Sequence, residues 1–476
     1  MAIVTVVVAS YNRKHLLEQT LQSLTRQSYT NFEVIIVDHG STDQTEEVFH
    51  AFSSTLSLSY YKIERDDAFA AGVPKDYGVR KARTPLIIFI DTGAIVPPGY
   101  IEAHVTFHQQ HPNAYGIGLQ HGYNTPEDFT ERPQEQTAEA FEQAYQKLKQ
   151  RNLQDQRSGF DLEQSGFPWF FAWGANLSFP RAAYLAVGGF DLSIKGWGFE
   201  DAELSYKMYK YGLHLAFVEN GWMIELPQVR SSMRDRGDSL QKNMLYCYSR
   251  HKSLAMEALN IIRMLVWKAI GAYRTLPNAN MAVLSEANLG NKMRLFSENL
   301  YTQQAQEAFH YLTELGQEQT TRPHLPSTLS AKFAGPTLLI GGHPEDAEWC
   351  NYVTLLDEHV VSTSSIWSCC GVLLPCADQS LGTVIISDIW KKLNKSFEHP
   401  LGIPPVSLLE LLLSEIQRTS KHAVFLDTPS VRTGLTVDAL KNLCKRYTFS
   451  VEVLSSDELE VMKGQQIQIA SCSKKR

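Results

Sequence analysis

Short apolar runs alternate with helical patterns in the first hundred residues, and this alternation restricts the fold. Residues 3–9, 32–37 and 86–90 are apolar runs of the length of a buried strand. Between the first two runs, leucines recur at helical spacing over residues 14–27. Strands that alternate with helices predict an α/β fold with a mainly parallel sheet. Ligands bind such sheets beyond the carboxyl ends of the strands.

Polar residues follow each of these three apolar runs. Ser10, Tyr11 and Arg13 come after the first run, Asp38 ends the second, and Asp91 ends the third. Because the carboxyl ends of parallel strands meet at one edge of the sheet, we expect these side chains to share a ligand site.

A cluster of acids follows a glycine-flanked tryptophan at residues 196–204. Trp197 lies between two glycines, and Glu200, Asp201 and Glu203 come directly after. Glycine lets the backbone come close to a ligand, and an acid at a helix start can serve as a general base. Ordinary capping acids at a helix N-terminus are the alternative interpretation.

Length, charge and cysteine usage restrict the class of protein. The 476 residues are too many for one typical domain, and the net charge of -7 argues against a general nucleic-acid binder. The seven cysteines include no Cys-x-x-Cys pair, which favours reduced thiols in the cytoplasm. No basic region precedes the first apolar run and no run of about 18 apolar residues occurs, so neither a signal peptide nor a membrane span is expected. An amphipathic pattern at residues 255–273 leaves peripheral membrane contact open.

Three motifs now carry a family resemblance. They are Val-Val-Ala-Ser-Tyr-Asn-Arg at residues 7–13, Val-Ile-Ile-Val-Asp-His-Gly-Ser-Thr-Asp at 34–43 and Ile-Ile-Phe-Ile-Asp at 87–91. In this order they resemble the family 2 glycosyltransferases of the GT-A fold, over roughly residues 1–250. Residues 173–204 resemble galactosyltransferase-like and chondroitin-polymerase-like enzymes, whose Trp-Gly-x-Glu-Asp motif carries the acceptor-side base.

The resemblance implies an inverting transfer of a sugar from a nucleotide sugar to a hydroxyl on a glycan or another acceptor. We expect a UDP-linked donor. Asp201 is the first candidate for the base that deprotonates the acceptor, and Glu200 is the second. Both match the Glu-Asp of the family motif.

The resemblance also implies a set of nucleotide-sugar-binding residues. Asp38 would accept a hydrogen bond from a uracil-like ring, with a turn-forming role as the alternative, and Asp91 would hold a divalent cation on the diphosphate. The complete set is Ser10, Tyr11, Arg13, Asp38, Asp67 (or its neighbour Asp66), Asp91, Trp173, Asn176 and Trp197.

Three positions depart from the family pattern on the side of the metal. His39 occupies the position of a second acid, and Gly93 occupies that of the last acid of the Asp-x-Asp motif. Met223 occupies the position of a metal-binding histidine. Hard cations such as Mg²⁺ and Mn²⁺ prefer oxygen ligands, or imidazole for Mn²⁺, and a thioether is a poor substitute. The expected metal site is therefore reduced to Asp91, helped by Glu225 or His39.

Three outcomes remain open. The enzyme binds Mg²⁺ or Mn²⁺ weakly, or arginines such as Arg230, Arg234 and Arg236 neutralise the diphosphate without metal. In the third, the domain binds a nucleotide sugar but does not catalyse transfer.

The second half of the chain predicts a helical segment and a further α/β domain. Residues 240–320 favour helices, and residues 317–330 are polar and contain two prolines, as is typical of a linker. Strands are predicted at 337–340, 353–356 and 423–426, and a helix at 408–420. We therefore expect domains at residues 1–240, 241–330 and 331–476.

Residues 335–460 resemble a degenerate class I S-adenosylmethionine-dependent methyltransferase, a Rossmann-like fold. The cofactor loop has only two glycines, Gly341 and Gly342, and Pro344 stiffens it. S-adenosylmethionine binding is therefore not expected, although Asp357 could contact a ribose and Asp378 an adenine. A bifunctional glycosyl- and methyltransferase is the remaining alternative.

Overall fold

The fold divides into two compact units, Met1–Asn243 and Met244–Arg476. The computed structural model describes residues 3–65, 70–122, 133, 135–151, 153–155, 157, 161–162, 165, 167–228, 233–261, 301–317, 335–342, 344–348, 350–355, 362–363, 365–369, 371–393, 395–396, 407–427, 435–455 and 457–458. Among these residues, no helix is both long enough and apolar enough to cross a bilayer.

The described residues of the first unit form ten strands in two sheets. They are β1 (Val4–Ser10), β2 (Phe32–His39), β3 (Leu58–Ile63), β4 (Leu86–Asp91), β5 (Ala94–Ile95), β6 (Ala114–Ile117), β7 (Gln120–His121), β8 (Asn176–Pro180), β9 (His214–Phe217) and β10 (Met223–Glu225). The main sheet has the order β3-β2-β1-β4-β8-β6-β9, and a small sheet has the order β5-β10-β7. The first four strands of the main sheet are parallel, whereas β8 runs antiparallel to both β4 and β6.

Helices cover both faces of the main sheet. The α-helices described up to His251 are α1 (Lys14–Leu24), α2 (Glu46–Phe52), α3 (Gly72–Lys81), α4 (Tyr100–Gln110), α5 (Ala138–Gln150), α6 (Arg181–Ala186), α7 (Glu200–Lys210) and α8 (Met233–His251). Successive side chains of a strand point to opposite faces, so Val7 packs in one apolar cluster with α3 and α7 while Val6 and Val8 pack in another with α1 and α4. Burial on both faces explains why the predicted strands are continuous apolar runs, and the structure confirms all three.

Helix α3 approaches the sheet closely through a glycine. A Cβ built on Gly78 would lie 2.5 Å from Cγ1 of Val7 in β1, so a larger residue would push the helix away. Lys75 lies three residues earlier, on the same side of the helix. Its side chain is therefore buried, with the whole residue only 8% exposed.

The second unit contains a parallel six-stranded sheet in the order β13-β12-β11-β14-β15-β16, an order typical of doubly wound folds. The strands are β11 (Thr337–Ile340), β12 (Tyr352–Leu355), β13 (Ile366–Ser368), β14 (Thr383–Ile386), β15 (His422–Asp427) and β16 (Ser450–Ser455). The helices are α9 (Tyr301–Gln317), α10 (Leu408–Thr419) and α11 (Val437–Cys444). A capping box between Ser407 and Glu410 starts α10 close to the predicted position.

The turn after β11 corresponds to the predicted cofactor loop. The backbone N–H of Gly341 donates to Oγ1 of Thr354 at 3.0 Å, and that of Gly342 donates to the Thr354 carbonyl at 3.2 Å. These amides are used by the protein itself, and the expectation about S-adenosylmethionine stays a prediction. Asp378 forms an exposed ion pair with Arg418, and Asp357 and residues 318–330 of the predicted linker lie outside the described residues.

Candidate functional site

The predicted strand-end residues meet at one edge of the main sheet. Ser10 at the end of β1 is paired with Asp38 of β2, and Ala9 is paired with Asp91 of β4. Ser10 is 3% exposed, and its hydroxyl has no hydrogen-bond partner within the described part of the chain. The parallel register therefore brings Ser10, Asp38 and Asp91 together, as the sequence predicts.

Asp38 organises the turn that follows β2. Its Oδ1 accepts a hydrogen bond from the Ser41 backbone N–H at 2.8 Å, and its Oδ2 accepts one from the Tyr60 hydroxyl at 2.6 Å. Gly40 in this turn has a left-handed φ of +79°. The turn-forming role is thus present. A carboxylate has lone pairs beyond these two bonds, so the uracil-binding role stays a prediction.

An arginine that the motifs do not include lies beside the same turn. The Arg65 guanidinium stacks over the ring of Tyr11 at 4.0 Å, and its Nη1 lies 3.3 Å from Nδ1 of His39. Tyr11 is 41% exposed and thus accessible to a ligand. Arg13 stands at the N-cap position of α1. Asp67 and its neighbour Asp66 lie outside the described residues.

The acid cluster begins α7 after a left-handed loop. Gly196 and Gly198 have φ values of +72° and +97°, and Phe199 has +74°, which is uncommon for a side chain of this size. The N-terminal part of α8 holds this loop, because Ser239 Oγ accepts from the Trp197 N–H at 2.9 Å. Asn243 Nδ2 likewise donates to the Gly198 carbonyl at 2.8 Å.

The two candidate bases differ in exposure. Glu200 and Asp201 are the first two residues of α7. Glu200 is 8% exposed as a residue, whereas the Asp201 side chain is 22% exposed. Trp197 in the preceding loop is 38% exposed and can present an apolar surface to a sugar.

Lys75 joins the strand-end residues to the acid cluster. Its Nζ lies 3.1 Å from Oδ1 of Asp91 and 3.9 Å from Oδ1 of Asp201, and it donates to the Gly174 carbonyl at 2.9 Å. Lys75 is in no motif that the sequence interpretation used. Gly78, three residues later, marks the helix face that approaches the sheet and could have indicated that Lys75 is buried.

Burial and charge set the protonation of this cluster. Burial and the neighbouring Asp201 carboxylate raise the pKa of Glu200 to about 8. Burial also raises the pKa of Asp201, although the Lys75 ammonium opposes this shift. Burial lowers the pKa of Lys75, but Asp201 and Asp91 outweigh it and the pKa is raised. Of the two acids, Glu200 therefore favours the protonated form more strongly, while Asp201 is the better stabilised anion.

Glu200 should make stability fall as pH rises. Its pKa is higher in the folded state than the ordinary value of 4.5, so the folded chain binds more protons between about pH 4.5 and pH 8. The free energy of unfolding should then decrease across this range, and E200Q should flatten the decrease. Urea unfolding at about pH 5 and pH 8 measures both slopes. The exposed control E219Q should keep the wild-type slope, and an unchanged slope in E200Q would contradict the assignment.

Within the described residues, the positions expected to hold a metal offer few ligands for a divalent cation. Gly93 adopts a left-handed φ of +98°, a conformation unfavourable for an aspartate, and Met223 is fully buried in β10. Glu225 binds the side-chain amides of Gln120 and Gln228. No group of three or more His, Cys, Asp or Glu side chains that could hold a metal occurs in the described ranges. A single carboxylate, Asp91, is too small a ligand set for a dedicated protein site.

The arginines proposed for a metal-free enzyme are not tested by this structure. Arg230 lies outside the described residues. Arg234 and Arg236 lie in α8, in a part of the helix whose side chains are not described. Their role stays a prediction.

Two further predicted residues lie behind the acid cluster. Trp173 is half-buried, with the Arg157 guanidinium over its ring at 4.0 Å. Asn176 is 1% exposed, and its amide binds the Tyr100 hydroxyl and the carbonyls of Leu119 and Gly221. These bonds give Asn176 a structural role, and its contact with a donor or acceptor stays a prediction.

A buried ion pair supports this region, and breaking it should be costly. The side chains of Asp155 and Arg157 are each 2% exposed, and Arg157 also donates to the Phe171 carbonyl at 2.7 Å. D155A would leave the guanidinium buried without its carboxylate, so we expect the free energy of unfolding to fall by about 3–5 kcal/mol. Urea unfolding measures the loss. The exposed control E142A should change stability by less than about 0.5 kcal/mol, and an equally small change in D155A would contradict the pair's importance.

Comparisons with known protein families match two segments of the first unit. Residues 5–168 match the family described as Glycosyl transferase family 2, and residues 161–230 match the N-terminal domain of galactosyltransferase. These segments include the strand-end residues and the acid cluster. These matches support the resemblance to family 2 glycosyltransferases over this part of the chain, and the first unit has an α/β fold. Neither segment enters the second unit, so the methyltransferase likeness stays a prediction.

Curated relatives of this chain include a glucosyltransferase and a chondroitin synthase. Validoxylamine A glucosyltransferase of Streptomyces hygroscopicus subsp. jinggangensis is 32% identical over 265 residues, which are 54% of this chain and 62% of the relative. Chondroitin synthase of Escherichia coli is 24% identical over 279 residues, 54% of this chain and 40% of the relative. The solved structure of S. aureus TarS 1-349 has a TM-score of 0.42 at 15% identity and covers 64% of this chain and 81% of that chain. The match thus spans less than two thirds of the length of either curated relative.

Proposed function

We propose that this protein is an inverting glycosyltransferase that moves a sugar from a nucleotide sugar to a hydroxyl of a glycan or another acceptor. The observation that carries the proposal is the shared contact of Asp91 and Asp201 with the ammonium of Lys75. Asp91 belongs to the nucleotide side of the sheet edge, and Asp201 belongs to the acid cluster. One site therefore combines a donor-binding edge with a candidate base.

Asp201 is the group best suited to deprotonate the acceptor. A general base must be unprotonated at the working pH and must be accessible to the acceptor. The raised pKa of Glu200 favours its protonated form, whereas the Lys75 ammonium favours the anionic form of Asp201. The greater exposure of the Asp201 side chain favours the same choice, and Glu200 remains the second candidate.

The proposed reaction is a single displacement. The acceptor O–H bond breaks and its proton passes to the Asp201 carboxylate. The acceptor oxygen forms a bond to the anomeric carbon while the bond from that carbon to the diphosphate oxygen breaks. The electron pair of the broken bond stays on the diphosphate, which leaves as the nucleoside diphosphate. Attack opposite to the leaving group inverts the anomeric centre.

The edge formed by β1 and β2 is the proposed nucleotide pocket. Tyr11 offers an exposed ring, Asp38 offers acceptor oxygens, and the Ser10 hydroxyl lacks a partner within the described residues. A uracil ring, which carries an N–H donor between two carbonyls, suits these groups, and UDP is therefore the proposed nucleotide. Arg13 and Asp67 complete the proposed set, with Trp197, Trp173 and Asn176 on the sugar side.

The cellular setting belongs to the proposal as well. The described cysteines Cys350, Cys369, Cys376 and Cys444 are free thiols, which suits the reducing cytoplasm. Peripheral contact with a membrane through residues 255–273 stays a prediction, because most of that segment lies outside the described residues.

A nucleotide-sugar-binding protein without catalysis is the second candidate. The observation in its favour is the loss of metal-binding side chains at Gly93 and Met223. Under this alternative Glu200 and Asp201 would not take part in a reaction.

A screen of nucleotide sugars separates the two candidates. UDP-, GDP- and dTDP-sugars are tested with and without Mn²⁺, by thermal shift for binding and by release of the free nucleoside diphosphate for turnover. The proposal expects a UDP-sugar to raise the melting temperature and to be consumed. Binding without any turnover would favour the second candidate, and no binding of any nucleotide sugar would contradict both.

A further inference from the structure

We propose that Lys75 supplies, as part of the protein, the positive charge that a divalent cation would otherwise place on the donor diphosphate. The inference rests on the proposed function and specifies the chemistry of its donor site. It makes transfer independent of added metal. It also assigns the charge to α3 rather than to the arginines near α8.

The position of the ammonium is the first argument. The Asp-x-Asp resemblance puts the diphosphate beside Asp91, and the Lys75 Nζ lies 3.1 Å from Oδ1 of that residue. A cation bridging Asp91 and a diphosphate would need to occupy the same neighbourhood. The Gly174 carbonyl and Asp91 accept two of the three N–H donors of the ammonium, and Asp201 at 3.9 Å is beyond hydrogen-bond distance. Among the described residues, no third acceptor lies within hydrogen-bond distance, so one donor is open to a diphosphate oxygen.

The local backbone and packing are the second argument. The left-handed Gly93 disfavours an aspartate at the second motif position, and the fully buried Met223 offers only a thioether. The hydroxyl of Thr92, between Asp91 and Gly93, donates to the Ala9 carbonyl at 2.7 Å. The number of oxygen ligands available to Mg²⁺ or Mn²⁺ is therefore small beside Asp91, where Lys75 is buried.

The arrangement of charges links the ammonium to the reaction. Before transfer, Lys75 is flanked by two carboxylates, Asp91 and Asp201. When Asp201 takes the acceptor proton it becomes neutral, and the ammonium loses one of its two anionic neighbours. At the same moment negative charge grows on the leaving diphosphate. The positive charge of Lys75 then stabilises this developing charge, and a fixed charge in a buried site needs little reorganisation to do so.

The competing explanation is that the buried Lys75 has only a structural role. A comparison of ligands with and without a diphosphate distinguishes the two explanations. Calorimetry with UDP and with GDP is compared with calorimetry with uridine and guanosine, all in EDTA. We expect K75M to weaken diphosphate binding at least about 10-fold while nucleoside binding is unchanged, because only the diphosphate would contact the ammonium. K75R keeps the charge and should retain most of the affinity. K81M, an exposed lysine change on the same helix, is the matched control and should bind like wild type.

Metal dependence provides the second measurement. Turnover of the nucleotide sugar identified by the screen is measured with wild-type protein in EDTA and after addition of Mn²⁺ or Mg²⁺. We expect equal rates in the three conditions. A rate abolished by EDTA and restored by Mn²⁺ would overturn the inference while leaving the proposed function intact.

The remaining outcomes are also decisive. If K75M is folded by circular dichroism and binds UDP and GDP like wild type, the inference is wrong although the proposed function stands. If K75M does not fold, K75R decides in its place: diphosphate and nucleoside binding weakened equally would indicate a structural role and overturn the inference. If wild-type protein binds neither UDP nor GDP, the proposed function fails and the inference fails with it.

Discussion

Replacing Asp201 by asparagine should abolish most sugar transfer while UDP binding is preserved. The amide has nearly the same shape as the carboxylate but cannot accept the acceptor proton. Removal of a general base lowers the rate by about 100- to 10,000-fold, so we expect a loss of kcat in that range. Steady-state kinetics measures the loss, and calorimetry with UDP shows whether the donor side is intact.

The adjacent acid provides the control for this experiment. E200Q replaces a carboxyl group whose raised pKa favours the protonated form, so its kcat should fall far less than that of D201N. If E200Q were the more damaging change, Glu200 would be the base and the assignment would reverse. If neither change affected kcat, the acid cluster would be an ordinary helix start.

Replacing Gly174 by alanine should disable the same base without removing it. A Cβ built on Gly174 would lie 2.1 Å from Oδ1 and 2.6 Å from Cγ of Asp201, so the carboxylate must move. A displacement of about 1 Å in a catalytic group can cost about 100-fold in rate, and we expect a loss of kcat of that order. Kinetics with saturating donor measures it.

Gly99 offers the matched control for this substitution. A Cβ built there has no atom within 4 Å, so G99A should keep the wild-type kcat. The double variant G174A/D201N should be no slower than D201N alone, because the base is already absent. A further loss in the double variant would show that Gly174 acts through something other than Asp201.

The sequence predicted the donor edge well because that edge is produced by strand order and burial. Residues that follow continuous apolar runs lie at strand ends, and parallel register then brings Ser10, Asp38 and Asp91 together. Both faces of the sheet are covered, so the apolar runs could be recognised without knowledge of their partners. The acid cluster was found for a similar reason, since its glycines and acids are local in sequence.

Lys75 could not be found in this way. Its importance depends on Asp91, Gly174 and Asp201, which are distant in sequence and meet only in the folded chain. A lysine on a helix with small residues normally indicates a solvated face. Arg65 is a similar case, because its contact with Tyr11 joins two segments across the sheet edge.

The loop before α7 limits how far the chain can be shortened. All strands of the main sheet precede Met233, so a fragment ending there would retain the complete donor edge. The same fragment would lack Ser239 and Asn243, which bind the loop that leads to Asp201. Nucleotide recognition and acceptor activation thus require different lengths of chain, and the smallest fragment that binds a nucleotide is shorter than the smallest one that can hold its base in place.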